Sequence, residues 1–161
     1  MQARGKAIRT KLLVVVVACA GMLGGGLVLA TPANAAVNGC NGSFLASKPI
    51  YHGSTKIGEL DLYWDAAARH NCATTVHTGA TYGVRVPTSV EVYAIVAPSP
   101  DLRPPGQQPD LSGRGSDSGN YGYYANASTK IDTSHYCVEA TGNIVWAGSN
   151  HVVTLGPAWC G

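Results

Sequence analysis

Charge is scarce in this chain. Acidic and basic residues together make up 12% of its 161 positions, eleven basic against nine acidic. The signatures of common chemistries are missing as well. There is no glycine-rich phosphate loop and no dinucleotide fingerprint, which removes the usual nucleotide-dependent enzymes. The histidines His52, His70, His77, His135 and His151 show no ligand spacing of the His-Glu-x-x-His kind, so the sequence implies neither a metal nor a cofactor. Helical periodicity is nearly absent: only Asp65 to Arg69 has helical character, and five residues are too few for a stable helix.

What is present begins with an address. Arg4, Lys6, Arg9 and Lys11 form a basic head, an apolar run extends from Leu12 to Ala30, and Thr31-Pro32-Ala33-Asn34-Ala35 supplies small residues for a signal peptidase. Residues 1–35 read as a secretory signal, and residues 36–161 as a secreted domain. Leu12 to Ala30 is also long enough for a membrane span, but Gly21, Gly24, Gly25 and Gly26 weaken such a helix. Val16-Val17-Ala18-Cys19 resembles a lipidation motif, yet an apolar run follows where a polar tether belongs. Cleavage after Ala35 would leave no stable membrane anchor. It would also remove four basic residues and no acid, giving seven basic against nine acidic and a balance of −2. Nucleic acid is therefore not an expected partner.

Cys19 would leave with the signal, and Cys40, Cys72, Cys137 and Cys160 would remain. Four cysteines in an oxidising compartment imply two disulfides with three possible pairings. Cys40–Cys72 and Cys137–Cys160 are favoured, because each closes a local segment between neighbouring strands. Such loops contribute roughly 3–4 kcal/mol each on the chain-entropy model. His70-Asn71-Cys72 and His135-Tyr136-Cys137 repeat a His-x-Cys pattern that could hold metal, but oxidation competes with that use.

The remainder reads as short strands and turns. Gly58 to Asp65 alternates, with Leu60, Leu62 and Trp64 on a buried face and Glu59, Asp61 and Tyr63 on a solvated one. Further strands are expected at Cys72–His77, Ser89–Ala97, Tyr121–Ala125, Ser134–Ala140, Ile144–Ala147 and His151–Leu155, with Thr141-Gly142-Asn143 as a tight turn. Pro98 to Gly119 carries five prolines and cannot pair as a central strand, so a long exposed loop is expected there. The fold class is all-β: a small single-domain sandwich or barrel with two disulfides.

Three constellations bear on function. Ala67 to Cys72 and Asp117-Ser118-Gly119 resemble fragments of a trypsin-like protease, but the chain is short for two barrels and Asn120 replaces the second glycine. Glu59, Asp61 and Asp65 lie on one strand, whereas glycosidic cleavage needs acids from separate elements. The aromatics Tyr63, Trp64, Tyr121, Tyr123, Tyr124 and Trp146 could form a platform that stacks sugars, or serve as ordinary sheet residues. Asp117 to Tyr121 also reads as a β-corner whose tyrosine anchors a loop.

Several segments, taken in order, resemble the spore-associated protein A family of streptomycetes and related actinobacteria. They are Asn38-Gly39-Cys40-Asn41-Gly42, Gly58 to Tyr63, Asn71 to Val76, Asp117 to Tyr121 running on to Tyr124-Ala125, Cys137-Val138, Gly142-Asn143-Ile144 and Cys160-Gly161. Asn126-Ala127 departs from the family's Gly-Pro-Val, and Pro98–Gly119 is enlarged. The resemblance implies association with a cell or spore surface and no enzymatic activity. Two alternatives stand beside it: a module binding cell-wall or spore-surface polymer through exposed aromatics, and a small protease inhibitor with Pro98–Gly119 as its reactive loop.

Overall fold

A computed structural model describes residues 38–96 and 110–160. The expected signal segment, and residues 97–109 of the proline-rich segment, lie outside the described residues.

Among the described residues, eight strands form two antiparallel sheets. The strands are β1 (Ser43–His52), β2 (Thr55–Asp65), β3 (His70–His77), β4 (Val86–Val96), β5 (Asp110–Tyr121), β6 (Tyr124–Ser128), β7 (Cys137–Trp146) and β8 (Ser149–Ala158). The first sheet has the order β1-β2-β3-β6 and the second β5-β4-β7-β8. A 3-10 turn, Gly79–Thr81, lies between β3 and β4. Among the described residues, no helix is long and apolar enough to cross a membrane.

Alternation builds the core. Leu60, Leu62, Ala73, Ala125 and Ala127 of the first sheet meet Val90, Val92, Val138 and Ala140 of the second in one buried cluster. Many of these side chains are small, so the sheets approach closely. That explains Gly142, which stands within β7 where a tight turn is expected from the sequence. A Cβ there would come within 2.5 Å of Thr75 Oγ1, so glycine serves a close approach, not a reversal. The chain reverses instead at Ala147-Gly148, both at positive φ, with Trp146 paired to Ser149.

Pro98–Gly119 is not an exposed loop throughout. Residues 110–119 belong to β5, which pairs with β4 along the edge of its sheet. An edge strand is held by its backbone on one side and needs no apolar pattern, so Ser112 and Gly115 pair with Ala94 and Val92 despite their surroundings, with Gly113-Arg114 as a bulge between them. Gly115 is required at the crossing, because a Cβ would run into the backbone carbonyl of Ser128. The strand expected at Tyr121–Ala125 is likewise divided: Tyr121 ends β5, Gly122 and Tyr123 turn the corner, and Tyr124 begins β6 in the other sheet.

The outer face of β2 is not solvated as the alternation suggested. Tyr63 is 5% exposed and Asp61 7%. Tyr63 pairs across to Cys72 and packs with the Cys40–Cys72 bridge, while Phe44 of β1 meets its ring edge-on at 5.6 Å. β1, which carries no alternating pattern, thus helps to cover this face.

Both favoured disulfides are formed, Cys40–Cys72 and Cys137–Cys160. With all four sulfurs oxidised, the His-x-Cys pairs cannot serve as thiolate ligands.

Candidate functional site

At the corner between β5 and β6 the chain passes from the second sheet to the first, and this corner is held by main-chain bonds. His77 N–H donates to Tyr123 O at 2.8 Å, and Gly83 N–H donates to Gly122 O at 2.7 Å. These bonds lash the corner to the β3–β4 connection. That connection is fixed in turn by Thr81, whose buried hydroxyl bonds to the carbonyls of Ile57 and Thr78. His77 lies beneath, with Nδ1 3.1 Å from Thr81 O and Nε2 2.7 Å from Thr88 Oγ1. Burial pushes its imidazole below the ordinary range, against a smaller opposing effect of the Thr81 carbonyl, so the ring bridges as a neutral group.

Asp117 organises the corner from within. Its carboxylate accepts from Tyr121 Oη at 2.5 Å and from Asn126 N–H at 3.2 Å. The Asp117 carboxylate, followed by desolvation, raises the pKa of the Tyr121 phenol. The sequence expectation of a tyrosine anchoring a β-corner is met, with a carboxylate as its partner.

Around this frame lies an open cleft of about 510 Å³. Tyr121, Tyr123, Tyr124, Asp117, Asn120, Asn126 and Arg85 line it. Tyr82 packs edge-on against Tyr123, centroids 5.1 Å apart and planes at 71°. Asn120 also belongs to a shallower polar groove of about 280 Å³ that runs past Ser118, Ser89 and Asn143. Asn120 is common to the two, and the cleft is the larger. Its walls offer aromatic faces, amide edges, a guanidinium and a carboxylate, a combination suited to a ligand rich in hydroxyls.

The expected platform is therefore only partly assembled. Tyr121, Tyr123 and Tyr124 line one cleft, and Tyr82 meets Tyr123 edge-on instead of coplanar. Tyr63 is sealed beneath the disulfide, and Trp146 packs against Ile50, Ile57 and Ile144. Trp64 faces a separate cleft of about 280 Å³ with Leu45, Asn71, Thr133, Ser134 and Trp159. Trp159 was not singled out from the sequence. It acquires its place through positive φ and the neighbouring Cys137–Cys160 bridge, neither of which leaves a pattern in the residues before it.

The acidic and protease-like fragments have structural work. Asp65 Oδ1 accepts from Ala67 N–H and Ala68 N–H at 2.9 and 3.0 Å, closing the β2–β3 turn. Glu59 pairs with Lys56 at 2.5 Å. Asp61 is buried, and desolvation raises its carboxyl pKa against the opposing Ser47 hydrogen bond. Asp117 is engaged by Tyr121 and Asn126, not by His70.

Compared with protein-family models, curated proteins and solved structures, the chain matches none.

Proposed function

We propose that this disulfide-bonded all-β domain is exported and acts without catalysis at the cell or spore surface, where it holds a wall or spore-coat polysaccharide through the β5–β6 corner. The observation that carries the reading is the tyrosine-walled cleft, with a polar groove beside it that shares Asn120. A polymer of sugars presents both hydroxyl edges and apolar ring faces, and the cleft offers a partner for each. The segmental resemblance to spore-associated protein A supports the surface setting, and two disulfides suit an oxidising compartment. The inhibitor reading has less support, since neither bridge closes on residues 98–119 and half of that segment is edge strand.

Retention on insoluble wall polysaccharide from a filamentous bacterium tests the reading. Tyr123→Ala and Tyr82→Ala should each weaken retention by about 1 kcal/mol or more, with the melting temperature nearly unchanged. Cell fractionation supplies the setting: the protein should be found in medium, wall or spores. A cytoplasmic location would remove the proposal.

A further inference from the structure

His52 and His151 are 99 residues apart in sequence, yet they meet where the end of β1 in one sheet reaches β8 in the other. The same seam is closed further along by Lys48 Nζ, which donates to Thr154 O at 2.9 Å. His52 Nδ1 stands 3.3 Å from His151 Nε2, and that Nε2 stands 3.3 Å from the Trp146 carbonyl oxygen. The two rings meet edge-to-face, planes at 89°.

The hydrogen-bond chemistry of this trio is restrictive. A carbonyl oxygen can only accept, so bonding to it requires the proton on Nε2 of His151. His52 Nδ1 then presents its lone pair to the same hydrogen. Two lone pairs thus converge on one small positive centre. A metal ion in that place would gain a third donor, because His151 can carry its proton on Nδ1 instead.

Distance favours the exchange. Two imidazole nitrogens bound to one tetrahedral zinc at about 2.0–2.1 Å each stand roughly 3.3–3.4 Å apart. The observed separation is 3.3 Å. His52 is exposed, which leaves room for water to complete the shell. No group of three or more His, Cys, Asp or Glu side chains converges among the described residues, so this is a site of two imidazoles and a carbonyl. Imidazole donors select ions of the zinc and copper series over magnesium or calcium.

We propose that His52, His151 and the Trp146 carbonyl form a surface site for a divalent ion of the zinc class, one that clamps the two sheets together at their β1–β8 seam. Zinc titrated calorimetrically into the full chain should reveal a saturable site and raise the melting temperature. His52→Ala and His151→Ala should each reduce affinity by about tenfold or more, a loss at least as large as removing an outer-shell partner causes. His135→Ala, an exposed histidine elsewhere, should bind as the parent does. His52→Gln separates a clamp by metal from a clamp by hydrogen bond alone: it should fold normally and lose the zinc-dependent rise. The proposal is overturned if the parent chain binds no zinc, or if the His52 and His151 variants retain parental affinity.

Discussion

On the outer face of the first sheet, Tyr63 lies beneath the Cys40–Cys72 bridge and is 5% exposed, whereas at the Gly122 corner Tyr123 is 56% exposed and Tyr82 65%. Both places bring tyrosine to the surface of a β-sandwich, and the molecule treats them in opposite ways. The first is closed by Phe44 and Cys40, which pack against Tyr63. The second is left open although its backbone is firmly tied to the β3–β4 connection. A rigid frame around uncovered aromatic rings costs little ordering when a ligand arrives, which is the property expected of a binding surface. The comparison separates aromatics that stabilise from aromatics that remain available.

The covered region can be broken most severely at its bridge. Replacing Cys40 and Cys72 with alanine should cost about 3–4 kcal/mol on the chain-entropy model and uncover Tyr63, as read by denaturant midpoint and near-ultraviolet dichroism. Tyr63→Ala should follow closely, about 3 kcal/mol or more for a buried aromatic, while Tyr123→Ala should change stability by less than about 1 kcal/mol. If the two tyrosines destabilised equally, the distinction between the regions would be lost.

Titration sharpens the contrast in smaller steps. His77 supports the open corner as a buried neutral ring whose pKa is lowered, so the unfolded chain takes up its proton first on acidification. Stability should therefore fall as pH drops through the ordinary histidine value of 6.5, and denaturant midpoints at pH 7.5 and 5.5 would show it. Asp61, under cover, has the opposite sign. Its raised pKa means the folded state holds a proton more tightly than the unfolded one, so stability declines as pH rises from 3.8 through the folded value. Asp61→Asn should be more stable than the parent at neutral pH. The smallest effect concerns Tyr121: in Asp117→Asn its phenol should titrate lower than in the parent, observable by ultraviolet difference spectra.

Much of this architecture was legible from the residues, for reasons that also explain the gaps. β2 and β4 bury alternating apolar side chains between two sheets, and period-two patterning records that directly, while β3 shows itself by its content of β-forming residues. β1 and β5 lie at sheet edges, where backbone pairing needs no apolar pattern, so Ser43–His52 carries no strand signal and Ser112 to Ser116 reads as part of a loop. Gly142 was read as punctuation because a glycine needed for close packing and a glycine needed for a turn look alike in sequence. The two disulfides followed from locality. The candidate site was half visible: Tyr121, Tyr123 and Tyr124 are clustered in sequence with Asn120 beside them, but Tyr82 and Arg85 join them only where the β3–β4 connection is tied to the β5–β6 corner. Their juxtaposition is a property of topology, as is the meeting of His52 with His151.

Binding of the parent, Tyr123→Ala, Tyr82→Ala and the double variant to insoluble wall polysaccharide tests the central claim most directly, with melting temperatures measured on the same preparations. The open corner predicts a graded loss of binding, largest in the double variant, without loss of fold. Parental binding by the double variant would contradict it.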